Sequence, residues 1–394
     1  MAKENNNGKP KGISATELNR RWTNARDAMK EAGLDFLLIE NSSNYFPGHV
    51  RWFTDLSVND GDPTTLIFPL SGEMTIMTFG DTNWGEKGPN TQLPGIKRHF
   101  GFPELHNLKD AGLLNAEKVV ELLKPYKNCH IGLVGMGLIS AAFYQYVTTH
   151  LTSAKFTDAT DLVDSLKVVK SDEEIGLIRE ATHIQDQLFE YALTCLKPGR
   201  RNYDAVLDIR HRAEEIGARN DMIMVGSAPP GTAAMIGMDL YRVIEDGDQC
   251  IILFENDSAD GYWAEMARII CLGRVSSELE EQFGLAQQAQ KISLDMMKPG
   301  VIPADMYRAN NQFLRSHGYP EQNFLYGHGQ GLDIAERPGL DAYETFRIKG
   351  RMDIAVHPMI MSKAAVGWVC EDYLISEDGK YECLQKTPQK IFRM

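Results

Sequence analysis

"CLKPGRRNYDAV" at residues 195–206 and "MMKPGVIPADMY" at 296–307 read alike: the end of a helix, a Lys-Pro-Gly break, and the start of another helix. Pro198 and Pro299 stand 101 residues apart. The same offset takes Gly217 to Gly318, each at the end of the second helix. It also takes Gly226 to Gly327, each after an apolar run ("MIMV" and "NFLY"). Proline removes a backbone donor and glycine accepts the left-handed conformation that ends a helix, so both breaks have a physical cause. Several coincidences at one offset predict a duplicated helix–helix–strand unit, hence two halves related by a pseudo-twofold axis. A cleft between such halves is a natural place for a ligand.

The 394 residues, 43% hydrophobic and 24% charged, suffice for two domains. A net charge of −13 argues against nucleic acid as a partner, because phosphate binding needs a basic surface. No stretch approaches the roughly 18 apolar residues of a membrane helix, so no membrane partner is expected. The opening "MAKENNNGKPKG" lacks the apolar core of a signal peptide and is expected to be a disordered arm over residues 1–12. Cysteines 129, 195, 250, 271, 370 and 383 form no CxxC pair and mostly sit in apolar runs. They read as reduced core residues of a cytoplasmic protein.

Upstream of the repeat, Ser14-Ala15-Thr16-Glu17 fits a capping box, followed by a helix to about Glu31 and a strand "DFLLIEN". "TTLIF" and "EMTIMTF" flank "PLSG" as a hairpin. A helix near Ala116–Leu123, a strand "HIGLVGMG" and a helix from about Ser140 follow. Alternating strand and helix predict a small α/β domain over 13–165. The "GLVGMG" run lacks the glycine spacing and acidic partner of a dinucleotide site. Ser171, with Glu174 three residues on, caps a long helix that opens a second domain over 166–394.

The second domain carries acids and imidazoles in otherwise apolar strands. In "FENDSADGYWAEMAR", residues 254–268, Glu255 and Glu265 flank a short polar turn. His328 lies between glycines in "GHGQGLDIAERPGL", His357 ends the apolar run in "IKGRMDIAVHP", and Glu371 sits in "WVCEDYLISEDGK", which turns at "EDG". Taken singly, each has a structural reading as a satisfied strand residue. Buried charge is costly unless paired or metal-bound, so the set of five is informative.

At these residues the chain resembles the creatinase, prolidase and aminopeptidase P family with its "pita-bread" fold. "VRWFTDLS" is similar to that family's N-terminal domain and "LVDSLKVVKSDEEI" to its interdomain entry. "GYWAEMAR", "GHGQGLDIAERPGL" and "EDYLISEDG" are similar to its catalytic landmarks. The resemblance implies a mixed α/β chain, with a small creatinase-like domain ahead of a pita-bread domain, and a homodimer. The family's metallopeptidases bind two divalent ions with two aspartates, one histidine and two glutamates. Carried over, the second aspartate falls on Glu265, the histidine on His328, the last glutamate on Glu371 and the first glutamate on His357. The first aspartate falls near Glu255 with a one-residue deletion. An accessory histidine of the peptidases is Ala335 here, and "MIMVGSAPPGTAAM" supplies no counterpart for the other.

Three carboxylates and an added imidazole balance two dications less well than four carboxylates do, and Glu for Asp moves each oxygen by a methylene. Metal ligation demands distances good to about 0.2 Å. The expected cofactor is therefore one divalent transition metal (Fe, Mn or Zn) or none, with Glu255, Glu265, His328, His357 and Glu371 as the candidate ligands. Creatinase has the same fold, works without metal, and carries a glutamate at the Glu265 position. The resemblance thus implies a hydrolase acting on a C–N bond of a small amidated, guanidino or imino-acid compound, with a cationic substrate allowed. His328, Glu265 and Glu371 are the expected catalytic residues, and Glu255 and His357 the expected substrate contacts. A metal-dependent lyase of the dimethylsulfoniopropionate type, an Xaa-Pro metallopeptidase and a non-catalytic binding protein are the alternatives on the same scaffold.

Overall fold

The structure, a computed structural model, describes residues 10–80, 93–103, 105, 109 and 113–394. Most of the arm expected over 1–12 lies outside the described residues. The chain divides into two compact units, one of Gly12–Lys167 and one that holds Val168–Met394.

The first unit runs α1 (Ala15–Ala32), β1 (Phe36–Asn41), α2 (Gly48–Thr54), β2 (Thr64–Pro69), β3 (Met74–Phe79), β4 (Ile96–Phe102), α3 (Leu113–Leu123), β5 (His130–Val134), α4 (Ala141–His150), β6 (Lys155–Asp158) and α5 (Thr160–Lys167). Ser14 Oγ accepts from Glu17 N at the head of α1, as the capping pattern predicts. The six strands form one sheet in the order β4-β3-β2-β1-β5-β6. Strands β2 and β3 are the expected hairpin, while β1, β5 and β6 run parallel. Leu38, Ile131, Leu133 and Met77 pack under Val119, Phe143 and Val147 of α3 and α4.

The second unit begins with α6 (Asp172–Cys195), where Ser171 and Glu174 cap each other reciprocally. It continues α7 (Asn202–Ile216), β7 (Asp221–Ala228), β8 (Gln249–Asp257), β9 (Trp263–Cys271), α8 (Ser277–Met296), α9 (Pro303–Ser316), β10 (Gly327–Gly329), β11 (Glu336–Gly339) and β12 (Asp353–Val356). Last come β13 (Met359–Met361), β14 (Val366–Trp368), β15 (Glu371–Ile375), β16 (Tyr381–Cys383) and β17 (Ile391–Arg393).

The repeated Lys-Pro-Gly turns are built alike. Gly199 and Gly300 sit at φ 87° and 93°, where a side chain would be strained. Gly199 N donates to Ile244 O and Ile244 N to Arg200 O; Gly300 N donates to Ile348 O and Ile348 N to Val301 O. Each turn is thus stitched to a later loop segment by the same pair of bonds. The two glycines after the second helices, Gly217 and Gly318, also share the left-handed conformation. The apolar runs differ. "MIMV" is part of β7, whereas "NFLY" precedes β10 as loop, with Phe324 exposed and only Tyr326 buried. Each half then supplies an antiparallel meander: β7-β8-β9, extended by β17, and β10-β12-β15, extended by β11 and β16. An isolated bridge between Ala267 and Cys370 joins the two meanders.

Glycine content tests how tightly this packing is set. A Cβ on Gly367 would run into the backbone of Gln282 and Phe283 in α8, which cannot move aside cheaply. Gly176 in α6 and Gly284 in α8 have helical surroundings and nothing within 4 Å of a built Cβ. Gly367→Ala is expected to destabilise the protein by about 1–3 kcal/mol. Gly176→Ala and Gly284→Ala should each stabilise it by roughly 0.5–1 kcal/mol. Urea midpoints for the three variants give the check.

Candidate active site

Strand alternation places the first two acids. Glu255 and Glu265 are direct cross-strand partners on β8 and β9, so their side chains share one face of that sheet. Ile251, Leu253, Ala267 and Ile269 lie on the same face, packed with Trp368, Val369 and Cys370. The other face carries Ile252, Phe254, Met266 and Ile270 into a separate apolar cluster with α6 and α7. Glu265 is 2% exposed, and Glu255 is less buried than its partner.

The imidazoles come from the second meander. His328 pairs with Ala355, and Ala355 with Asp372. One face of this sheet therefore holds His328, Gln330, Asp353, His357 and Asp372. The opposite face carries Ile354, Val356, Glu371 and Tyr373. The glycines around His328 answer to close packing. A Cβ on Gly329 would strike the Arg337 carbonyl, and one on Gly331 would strike Lys170 Nζ and the Glu336 carboxylate. Glu336, paired with buried Lys170 at 2.6 Å, also accepts from Leu332 N, and so fixes the turn that follows His328.

These elements bring Glu265, His328 and His357 together, each offering one donor atom within 4.8 Å of the others. Glu265 Oε2 lies 3.1 Å from His328 Nε2 and 3.9 Å from His357 Nε2, and the two rings meet edge to face. Burial alone would push the Glu265 carboxyl up. The charges of His357 and His328 and the contacts with His328 and the Cys370 thiol reverse that and hold it well below the usual carboxylate range. Burial would likewise lower His328, yet the contact with Glu265 and that residue's charge raise it above an ordinary histidine. His357 goes down, chiefly through burial. Burial and the neighbouring Glu265 push Glu255 up to about 8. Around neutral pH the group is a protonated Glu255, an ionised Glu265, a protonated His328 and a neutral His357.

Glu265 is also held from behind. Its N–H donates to Asp372 Oδ2, and its carbonyl accepts from Gln385 Nε2. Gln385 reaches Asp372 and Gln185 as well, and Gln185 donates to the Phe254 carbonyl. One amide thus ties β9 to β15 and, through Gln185 of α6, to β8.

Glu371 lies outside this group. Its carboxylate meets Arg268 at 2.7 Å and accepts from Gln290 Nε2 and Gln389 Nε2 at 2.8 and 2.6 Å. Arg268, 2% exposed, donates in addition to the carbonyls of Ala267, Cys370 and Thr387. Both residues of the pair occupy strand positions that point away from the Glu265 face. The neighbour one step earlier, Cys370, is fully buried, packs on the Glu265 face and contacts the Glu265 carboxylate. The sequence reading treats Cys370 as a core residue. The signal that finds it is the period of two along "VCEDYLI", which puts Cys370 and Asp372 on one side and Glu371 on the other.

The donor set fits a single ion better than a pair. Glu265 Oε2 and His357 Nε2 are buried without a hydrogen bond of good geometry. Separations of 3.1 and 3.9 Å bracket the roughly 3.4 Å between neighbouring donors that each sit about 2.0–2.1 Å from a tetrahedral ion. A second ion would call on Glu371, whose charge Arg268 already neutralises.

Comparison with known proteins agrees with this architecture. Residues 176–377 match the metallopeptidase family M24, and residues 21–169 match the creatinase/prolidase N-terminal domain. The chain is 23% identical to the Xaa-Pro dipeptidase of Pyrococcus furiosus over 92% of its own length and 97% of that protein's. It is 28% identical to the probable dipeptidase PepE of Mycobacterium tuberculosis over 56% of its length and 60% of the relative's. The crystal structure of the X-Pro aminopeptidase from Thermotoga maritima superposes with a TM-score of 0.78 at 20% identity, covering 95% of this chain and 99% of that one. The two-domain, pita-bread architecture is therefore the shared one. With half of its length inside the family match, the chain belongs to metallopeptidase family M24, a family of C–N bond hydrolases.

Proposed function

We propose that this protein hydrolyses a C–N bond in a small amidated, guanidino or imino-acid compound, and that its site takes one divalent transition ion rather than two. The observation that carries the reading is the split between Glu265, His328 and His357, which converge, and Glu371, which Arg268 holds on the other face. Glu265, His328 and His357 are the residues that would hold the ion. Such an ion supplies Lewis-acid polarisation of the scissile carbon and a more acidic water.

The chain's own groups account for the protons. Breaking a C–N bond at neutral pH requires a proton on the leaving nitrogen. Glu255, kept protonated by burial and by the charge of Glu265, stands across from Glu265 as the donor. Without an ion, Glu265 and His328 hold one proton between them and a cationic substrate head would pair with Glu265; with an ion bound, that proton leaves and the two groups act as ligands. Activity should fall as pH rises through the raised pKa of Glu255, because an acid must be protonated to donate. Glu255→Gln should remove that alkaline limb from the kcat profile.

Relatives at this level of identity are named Xaa-Pro dipeptidases, so Xaa-Pro dipeptides are the first substrates to measure. Little turnover of them is expected with Mn, Co or Zn supplied. By the family resemblance, Ala335 falls at the position of an accessory histidine, and losing one such transition-state donor costs about 2.7–4 kcal/mol. A panel of small amides, guanidino and imino-acid compounds should contain the better substrate. On it, Glu265→Gln and His328→Ala should lose at least about a hundredfold in kcat/KM while circular dichroism stays native. Full activity in Glu265→Gln would overturn the reading.

Glu371 separates one ion from two. Glu371→Gln should leave the metal content at no more than one per chain and lower stability by about 3–5 kcal/mol, since it strands a buried arginine. Loss of bound metal in that variant, or two tightly held ions in the wild type, would return Glu371 to the ligand set. A homodimer and a cytoplasmic location belong to the same proposal. The second is supported by six free cysteine thiols among the described residues. No described helix is long and apolar enough to cross a membrane.

A further inference from the structure

We propose that Cys370 is a fourth protein donor to the ion held by Glu265, His328 and His357, which makes the site selective for thiophilic, borderline ions such as Zn²⁺, Fe²⁺ or Co²⁺. The inference rests on the one-ion reading above and deepens it.

Three observations converge on the thiol. The β12–β15 register pairs Val356 with Glu371, and one further step sets Cys370 opposite His357 on the same face. Cross-strand partners have Cβ atoms about 4.5–5.5 Å apart, within reach of a shared ion. Cys370 is fully buried and its thiol touches the Glu265 carboxylate. Its backbone is pinned from the other side: its carbonyl accepts from Ala267 N at 3.2 Å and from Arg268 Nη1 at 3.3 Å. The side chain therefore has little choice but to point at the Glu265 face.

The thiol does not stand alone there. Glu265 Oε2, on a side chain 3% exposed, is aimed at the same point without a hydrogen bond of good geometry. The triad's donor atoms form the compact group, and Cys370 joins it through Glu265 rather than by touching all three. Thiolate sulfur is a soft donor, and sites that contain it favour zinc, iron and cobalt over Mg²⁺ or Ca²⁺. On binding, the Cys370 S–H bond breaks, sulfur keeps the electron pair and bonds to the ion, and the proton leaves to solvent. No oxidant or reductant takes part.

The test is cobalt titration of the full-length, metal-stripped protein. The wild type should take up one equivalent of Co²⁺ and develop a near-ultraviolet sulfur-to-cobalt charge-transfer band. Cys370→Ser should still bind one equivalent and lack the band, with Co²⁺ affinity weakened at least tenfold. Its affinity for Mg²⁺ should change less than twofold. One equivalent of cobalt in the wild type with no such band would overturn the role of Cys370 and leave the one-ion reading standing. Two equivalents, or none, would overturn the one-ion reading and this inference with it. Because the band is read in the wild type, the result does not depend on how well the variant folds.

Discussion

A carboxylate taken out of water is stabilised by a positive charge, and the second unit supplies one twice on the three strands β9, β10 and β15. Glu265 is compensated by His328, and Glu371 by Arg268. The two solutions lie on opposite faces of the meanders because side chains alternate along a strand. Everything else about the site follows from that sorting. The Glu265 face keeps groups that can exchange protons or bind an ion. The Arg268 face keeps an ion pair to which Gln290 and Gln389 also donate, both at Glu371 Oε2.

The surroundings serve the same division. Gln385 fixes the backbone of Glu265 against Asp372, so the carboxylate is presented from a strand that cannot shift by a register. The Lys170–Glu336 pair and Gly331 fix the turn beyond His328. Neither arrangement reaches the reacting atoms. Both use buried polar groups whose partners are supplied from separate elements, which makes them costly to break and good at holding position.

Much of this was legible in the sequence where the signal was local. Ser14 and Ser171 cap their helices through the residues three positions on, as their spacing implies. The Lys-Pro-Gly turns at 197–199 and 298–300 carry the same hydrogen bonds, which the 101-residue offset anticipates. His328 between glycines was readable because packing, not chance, excludes a Cβ at Gly327 and Gly329. Side-chain facing was harder. Matching Glu371 by residue type ignores that Cys370 and Asp372 occupy the alternate positions, and the partner that claims Glu371, Arg268, is 103 residues away in the chain. The equivalence of "NFLY" with "MIMV" also stops short, because Phe324 and Leu325 lie on the surface and no strand forms until Gly327.

Charge supports the proposal of one cation in this site. Glu371 is paired with Arg268, and Glu265 is the carboxylate that meets both imidazoles. Two dications against one carboxylate would leave a large uncompensated charge in a site that is almost wholly buried, at a cost that contacts with two neutral imidazoles do not offset. One dication against Glu265 and one further anion is close to neutral. The Cys370 thiol, in contact with Glu265 on that face, is the group proposed to supply the further anion; burial and the charges of Glu265, Asp372 and Glu371 hold its proton in the absence of a cation. In the proposed one-ion site the charges of a dication, the Glu265 carboxylate and the Cys370 thiolate sum to zero, and the protons displaced from His328 and sulfur leave to solvent.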